Sequence, residues 1–163
     1  MQDYEQVATT LRAPLPDAPT LRDFVRYAPL APNGHNTQPW RFRLGRRTVS
    51  ILPDLSRATP AVDPDDHHLF ISLGCAAEHF CLAARANGRP AAVEFSATAG
   101  GRIDIDVAPS GGGDRAAASG EDAMLYQAIP HRQSTRSTYD GSKVSPETLR
   151  HPQHAAAAQQ HPH

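Results

Sequence analysis

The stretch DPDDHHLFISLGCAAEHFCLAARANG, residues 63–88, carries the strongest helical pattern of this chain and decides its fold. Along one face, apolar side chains recur at the spacing of an α-helix, at Leu69, Leu73, Ala76, Ala77, Phe80 and Ala84. Further apolar side chains cover much of the remaining surface, at Phe70, Ile71, Cys75 and Leu82. A helix that is apolar nearly all round is buried, so this stretch predicts a central core helix.

The ends of this helix are predicted by residues that favour helix termini. Asp63 is the expected N-cap, and Pro64 suits the first helical position because its missing N–H has no partner there. The two aspartates that follow lie where the helix dipole favours negative charge. Gly88 is expected just beyond the last turn, as a glycine in the left-handed conformation. The pattern predicts a helix over residues 64–87.

Strand patterns flank the helix on both sides. Before it, apolar residues alternate with arginines and continue past a turn at Gly45–Arg46, at Trp40, Phe42, Leu44, Val49 and Ile51. After it, a second alternating pair of segments surrounds Gly100–Gly101 and predicts a hairpin, with apolar residues at Val93, Phe95, Ala97, Ile103, Ile105 and Val107. Helices mixed with antiparallel hairpins predict an α+β fold, an antiparallel or mixed sheet packed around the long buried central helix.

Three further segments complete the expected organisation. Thr20 is a plausible N-cap with Asp23 at the capping-box position, which predicts a helix over Leu21–Leu30. Residues 1–19 are expected to form an arm or a short leading helix. Residues 109–121, PSGGGDRAAASGE, have the composition of a flexible linker, and a short amphipathic helix is expected over Asp122–Ile129.

Composition limits the classes of protein to consider. A chain of 163 residues allows one ordinary domain, and 39% hydrophobic residues with 15 prolines predict a modest core with much loop. The net charge of −1 gives no argument for nucleic acid or an anionic membrane surface as partner. We expect no transmembrane helix and no secretory leader. Cys75 and Cys81 are too far apart on one helix for a disulfide, so we expect free buried thiols in a cytoplasmic protein.

A polar loop, Pro32-Asn33-Gly34-His35-Asn36-Thr37-Gln38-Pro39-Trp40, precedes the first strand. Its two prolines restrict φ, and Gly34 permits a positive φ, so the backbone is expected to hold one non-helical shape. Five side chains offer donors and acceptors from a small space: Asn33, His35, Asn36, Thr37 and Gln38. Such a loop suits a planar ligand that forms hydrogen bonds. A turn whose polar side chains cap its own backbone is an equal alternative.

A basic segment, IPHRQSTRSTYD at residues 129–140, is the second candidate site. Arg132 and Arg136 could clamp a phosphate or a polarised carbonyl, since guanidinium forks match such oxygens. Ser134 could donate to the same group. The alternative is a solvated loop, which the local chemistry alone favours.

The segment Ala28–Phe42, APLAPNGHNTQPWRF, resembles the signature of the FMN-dependent nitroreductase superfamily. The matching positions are Ala31, Pro32, Asn36, Gln38, Pro39, Trp40 and Phe42. Asn33 stands where the family usually has serine. The basic segment is similar to the family's "RxSxR"-like stretch, which holds the flavin phosphate and the pyrimidine edge of the ring, through Arg132, Ser134 and Arg136.

This resemblance implies a function and a set of site residues. It implies FMN as cofactor, NAD(P)H as electron donor, and a nitro or quinone-like small molecule as acceptor. The implied cofactor contacts are Pro32, Asn33, Gly34, Asn36, Gln38, Arg132, Ser134 and Arg136. It implies no obligatory catalytic side chain, and no metal site is expected. A flavin-binding or flavin-sequestering protein without turnover is one alternative, and a truncated, non-functional fragment is another.

The order of the two motifs resembles the double-length, Acg-like branch of the family, in which two nitroreductase-like halves are fused. By this resemblance residues 20–108 form the first half, residues 109–121 the linker and residues 122–150 the opening of the second half. Residues 1–19 would be an N-terminal arm and residues 151–163 a disordered tail. Because the two motifs meet from opposite halves in the family, a homodimer or a missing second half is the expected partner.

Overall fold

The computed structural model describes residues 4–109, 120–134, 137–150 and 152 of this chain. The chain divides into two compact units, residues 1–133 and residues 134–163. The helices of the first unit are α1 (Tyr4–Arg12), α2 (Leu21–Tyr27), α3 (His67–Ala86) and α4 (Gly120–Ala128). Its strands are β1 (Trp40–Leu44), β2 (Thr48–Pro53), β3 (Ala91–Ser96) and β4 (Arg102–Val107). In the second unit, residues 146–150 are helical.

The four described strands form one sheet in the order β1-β2-β4-β3, and every neighbouring pair is antiparallel. The α+β class is therefore confirmed. Both hairpins lie where the alternating patterns predicted them. The sheet and α2 pack on α3, and the core between them is formed by fully buried side chains, among them Phe24, Val49, Ile51, Leu73, Phe80, Ile105 and Val107.

The start of α3 differs from the prediction. The helix begins at His67 rather than at residue 64, and Asp66 at its N-cap has a positive φ of 57°. Asp63 still caps the helix, but from further upstream, because its two carboxylate oxygens accept the amides of His68 and Leu69 at 3.0 Å each. The amide of Asp63 itself donates to the carbonyl oxygen of Thr59 at 2.9 Å, so this residue belongs to the preceding turn.

The end of α3 agrees with the prediction to within one residue. Gly88 has a φ of 68°, and its amide donates to the carbonyl of Arg85 at 2.9 Å. The amide of Arg89 reaches back to the carbonyl of Ala84, also at 2.9 Å. These two bonds form the Schellman arrangement, which glycine favours because it has no Cβ to oppose a positive φ.

The helix predicted over Leu21–Leu30 is divided in two. The α-helix ends at Tyr27, and a 3₁₀ turn continues over Ala28–Leu30. Pro29 has no N–H to donate to the carbonyl of the residue four positions earlier, so the α-helical ladder stops there. The predicted N-terminus is confirmed, because the carboxylate of Asp23 accepts the amide of Thr20 at 2.8 Å.

The prediction that α3 is covered on nearly all sides is wrong for its first half. Leu82 is buried, but Phe70 and Cys75 are only partly buried and Ile71 is 50% exposed. The edge strand β3 shows the same pattern, with Phe95 60% exposed although its ring meets Phe70 edge-on at 6.2 Å. The described chain has no layer over this edge, so apolar surface of both elements faces outward.

Among the described helices, α3 alone has the length and composition of a membrane span. More than half of that stretch is buried inside the protein, against the sheet and the neighbouring helices. This packing is that of the core helix of a folded domain.

The segments around the predicted linker are partly described. Helix α4 begins two residues before the predicted short helix, and the buried residue Ile129 follows it in a 3₁₀ turn. Its Tyr126 ring packs against Tyr27 at 5.8 Å. Most of the predicted linker, residues 110–119, and nearly all of the predicted tail lie outside the described residues. Within residues 1–19, α1 provides the expected leading helix.

We predict that Phe80→Ala lowers the free energy of unfolding by about 3–5 kcal/mol, the usual range for removing a large aromatic side chain from a core. Phe80 is fully buried and meets Phe24 edge-on at 5.8 Å. The control is Met124→Ala, because the Met124 side chain is 61% exposed. Urea unfolding of the two variants measures the difference. Equal losses in both would contradict the core described here.

Candidate functional site

The polar loop between α2 and β1 has a strained backbone. His35, Asn36 and Gln38 have φ values of 51°, 56° and 54°. Gly34, which would permit a positive φ, does not adopt one. Asn is among the residues that best tolerate this region, but three such residues within four positions are uncommon. Strain of this kind is frequent at binding and catalytic sites.

Several polar side chains of the loop hold the loop itself in shape. The carbonyl oxygen of the Asn33 side chain accepts the amide of Gln38 at 3.0 Å, and its nitrogen donates to the carbonyl of Ala31 at 3.2 Å. The Gln38 side-chain amide donates to the carbonyl of Pro29 and to the Asn36 side chain, both at 3.2 Å. The self-capping alternative therefore applies to Asn33 and Gln38. The side chains of His35 and Asn36 are exposed.

A turn after β2 supports the loop from the other side. Asp54 donates its backbone amide to the carbonyl of Pro39 at 2.9 Å, and Arg57 donates to the carbonyl of Thr37 at 3.0 Å. The Asp54 carboxylate accepts Arg41 at 2.8 Å and the Ser56 hydroxyl at 2.7 Å. These hydrogen bonds, from Arg41 first and then from Ser56, lower the pKa of Asp54 from 3.8 to about 2. Asp54 is therefore an anion that braces the loop.

A first cavity of about 460 Å³ lies between the loop and α3. Its volume is within the range of about 300–1,000 Å³ that is usual for small-molecule sites. The loop contributes one wall, the turn before α3 a second and α3 the third. The lining residues are Pro32, Asn33, Gly34, His35, Thr59, Val62, Asp63, His68, Ile71, Ser72 and Cys75.

Gly34 joins two walls of the first cavity. Its amide donates to the Ser72 hydroxyl at 3.3 Å, and that hydroxyl donates to the carbonyl of His68 at 2.6 Å. A Cβ added at Gly34 would meet no atom within 4 Å. The glycine is therefore not required by the protein's own packing, and its open side leaves room for another molecule to approach the backbone.

The acidic side chain that lines the first cavity, Asp63, is already hydrogen-bonded to backbone amides. Burial acts to raise the pKa of Asp63, but the amides of His68 and Leu69 and the charges of His68 and His67 act against it, and the pKa is lowered overall. Its carboxylate is held as the cap of α3. It is therefore poorly suited to act as a general base.

A second cavity, of about 270 Å³, lies on the other side of the loop, under α1. It is lined by Val7, Ala8, Leu11, Arg12, Pro29, Leu30, Ala31, Asn36, Gln38 and Arg132. The Arg132 Nε donates to the carbonyl of Leu30 at 2.9 Å, which fixes the arginine beside the loop.

The structure thus divides the eight residues implied as cofactor contacts. Three of them, Pro32, Asn33 and Gly34, line the first cavity, whereas Asn36, Gln38 and Arg132 line the second. Ser134 belongs to the second compact unit, and Arg136 lies outside the described residues.

Sequence reasoning missed two groups of lining residues. His68 and Ser72 are polar residues four positions apart on α3 that interrupt its apolar pattern, which was the available signal, whereas Cys75 was counted among the apolar residues of that pattern. Arg12 had no such signal, because only the tertiary fold brings α1 to the loop. Both cysteines are free as expected, but Cys75 is only partly buried, whereas burial raises the pKa of Cys81 to about 11.

The described residues contain no group of three or more His, Cys, Asp or Glu side chains placed to hold a metal ion. Of the acidic residues around the start of α3, Asp63 caps the helix with both of its carboxylate oxygens.

No protein-family model matches this chain, but comparison with individual proteins finds relatives. "Putative NAD(P)H nitroreductase Rv3131" of Mycobacterium tuberculosis (strain H37Rv) is 31% identical over 124 residues, which are 76% of this chain and 35% of that protein. "Putative NAD(P)H nitroreductase acg" of the same strain is 34% identical over 74 residues, 45% of this chain and 22% of that protein. The chain therefore matches about a third or less of the length of these relatives, and their names support the nitroreductase family.

We predict that the stability of the Asp54→Asn variant depends less on pH under acidic conditions than the stability of the unaltered protein does. Because the folded-state pKa of Asp54 is depressed to about 2, its stabilising contribution is present above the ordinary value of 3.8 and is lost as the pH falls towards 2. The variant should be less stable at neutral pH and should lose less stability between these two pH values. Thermal unfolding across this range measures both effects. Parallel curves for the two proteins would show that the Arg41 and Ser56 contacts do not hold the carboxylate.

Proposed function

We propose that this protein is an FMN-dependent NAD(P)H oxidoreductase of the nitroreductase type, which passes electrons to nitro or quinone-like acceptors. The observation that carries the proposal is a ligand-sized cavity at the strained loop in a chain related to proteins named as NAD(P)H nitroreductases. The loop is also the segment that resembles the family signature.

The lining of the first cavity supports the proposal of a flavin ring there. Pro32, Val62 and Ile71 supply apolar surface, and Asn33 supplies a polar edge. The open side of Gly34 permits close approach to the backbone. Bound FMN would supply the redox chemistry, and these residues would bind and orient its ring and exclude water from one side.

The phosphate end of FMN requires positive charge that this cavity supplies poorly. Its described lining residues include two histidines but no arginine or lysine. We therefore propose that a second half, or a second copy of the chain, completes the site with its own basic segment. The exposed side chains of Ile71 and Phe95 support this proposal, because such apolar surface is usually covered by a partner. The double-length, Acg-like arrangement provides that partner within one polypeptide.

One alternative is favoured by a particular observation. The match to only 35% of the length of a relative favours a fragment that lacks part of its site.

The first test is the visible absorption spectrum of the purified chain. We expect the bands of an oxidised flavin, release of FMN on heating, and bleaching on addition of NAD(P)H. A flavin spectrum without bleaching would instead support the sequestering protein. A colourless protein that does not take up added FMN would contradict both flavin functions. The truncated, non-functional fragment would then be the remaining alternative.

We predict that Gly34→Ala weakens FMN binding about tenfold while leaving stability unchanged, because the new methyl group fills space that only the ligand would use. Gly34 lacks a positive φ, and apart from its two chain neighbours no residue comes within 4 Å of the added Cβ. The control is Gly74→Ala on α3, where the Cβ position is equally free and no cavity wall is formed. Quenching of FMN fluorescence measures affinity. Unchanged affinity in Gly34→Ala would show that flavin does not approach this backbone.

A further inference from the structure

His79 is a half-buried histidine of α3 that lines neither of the two cavities. We propose that His79 is a positioning residue: it fixes the 3₁₀ turn Ala28–Leu30, so that the side chains bound to this turn keep their places only while the histidine ring is uncharged. For cofactor binding this role rests on the proposed function. The effect on the turn itself does not depend on flavin.

The 3₁₀ turn is contacted by side chains from three different parts of the fold. The ring of His79 forms a hydrogen bond with the backbone of Tyr27, the residue directly before the turn. The Gln38 side-chain amide donates to the carbonyl of Pro29 at 3.2 Å, and the Arg132 Nε donates to the carbonyl of the next residue at 2.9 Å. One short turn therefore connects the core helix, the polar loop and the segment after α4.

The two side chains that share the turn with His79 are both implied cofactor contacts. Gln38 and Arg132 line the second cavity. Through its backbone amide Gln38 also bonds to the side chain of Asn33, which lines the first cavity. A shift of the turn would therefore move the carbonyls that hold groups on both sides of the loop.

The surroundings of the ring suit a neutral histidine and oppose a charged one. The Nδ1 atom of His79 is buried and has no hydrogen-bond partner among the described residues. An imidazolium ring carries a proton on both nitrogens, whereas a neutral ring carries only one. A charged His79 would therefore place a donor at Nδ1 that has no acceptor, and leaving such a buried group unpaired is costly.

Burial is the largest cause that lowers the pKa of His79 from its ordinary value of 6.5. The hydrogen bond with the Tyr27 backbone acts against burial, and the charge of Arg132 acts with it. Because burial comes first, the direction of the shift does not depend on how the charge of Arg132 is balanced. The Tyr27 ring adds no charge of its own, since burial raises the pKa of its hydroxyl.

Other charged side chains on the elements packed against α3 are engaged in contacts of their own. Asp122 of α4 and Glu78 of α3 both pair with Arg85, at 3.4 and 2.8 Å. Arg26 of α2 donates to carbonyl oxygens of α1 and of the segment after it. Among the described residues, no carboxylate is a cause that offsets the burial of the His79 ring.

The sign of the pH effect follows from the lowered pKa of His79. On acidification the unfolded chain takes up the proton near pH 6.5, before the folded chain does, so the folded state loses stability as the pH falls below 6.5. The ring avoids this cost by leaving its buried position, and its contact with the Tyr27 backbone is then lost. We therefore expect the turn to be held above this pH and to loosen below it.

The test follows the turn by amide hydrogen exchange of the full chain, without added flavin. The Ala31 amide donates to the carbonyl of Ala28 at 3.0 Å and so reports whether the turn is closed. Between neutral pH and about pH 5, we expect the protection factor of Ala31 to fall about tenfold, the effect of one pKa unit. An unchanged protection factor would overturn the inference.

Two substitutions separate the contact of His79 from its charge. His79→Gln keeps an N–H donor that does not titrate, so the protection of Ala31 should match that of the unaltered protein at neutral pH and should not fall on acidification. His79→Leu removes the donor, so Ala31 should lose about tenfold in protection already at neutral pH. A fall on acidification in His79→Gln equal to that of the unaltered protein would overturn the inference.

A core amide and a control variant distinguish positioning from a general structural role. Leu73 is fully buried, and its amide should keep its protection in His79→Leu at neutral pH. Equal losses at Ala31 and Leu73 would show that His79 only supports the core, and would overturn the positioning role. His67→Gln makes the same change at an exposed position of the same helix and should behave as the unaltered protein does.

FMN binding then connects the turn to the proposed function. Between neutral pH and about pH 5, FMN affinity should fall about tenfold more in the unaltered protein than in His79→Gln. This comparison removes the titration of the FMN phosphate itself, which has a pKa near 6. If FMN binds and both proteins show the same pH dependence, His79 does not position the cofactor contacts. If the chain binds no FMN, the flavin function fails, while exchange at Ala31 still decides whether His79 holds the turn.

Discussion

The packing of α3 against the sheet is the constraint on which the rest of the structure depends. Phe80 and Leu73 are fully buried on one side of this contact, and Ile51 and Ile105 on the other. With that face buried, the adjoining face of α3 carries Ser72 to the polar loop. The core contact thus positions the wall of the first cavity that α3 forms, although none of these four core residues lines the cavity.

The loop is held by contacts from three directions and not by the freedom of its glycine. The Asn33 side chain bonds to the amide of Gln38 within the loop. The turn that contains Asp54 and the Ser72 hydroxyl form further hydrogen bonds to the loop backbone. These contacts offset the cost of positive φ at non-glycine residues, which is of order 1–3 kcal/mol each. A loop fixed in this way is pre-organised, which lowers the cost of ordering it around a ligand.

The apolar edge of the domain is the surface behind the proposal of a second half or a second copy of the chain. Ile71, Val93 and Phe95 present apolar side chains where the described chain has no layer to cover them. Ile71 also lines the first cavity, so whatever covers this edge would affect the proposed flavin site directly. Covering this apolar edge and completing the proposed flavin site therefore both involve the same exposed face of α3.

The sequence by itself determined the α+β class, both hairpins, the core face of α3 and its glycine C-terminus, because these depend on periodicity and on local backbone preference. Only the tertiary structure decided where α3 begins, since the turn before it draws Asp63 out of the helix. It also decided which candidate site residues meet. Arg12 and Arg132 lie far apart in sequence, and only the packing of α1 beside the polar loop brings them into one cavity. Side-chain pattern specifies which surfaces are buried, whereas long-range packing specifies which polar groups converge.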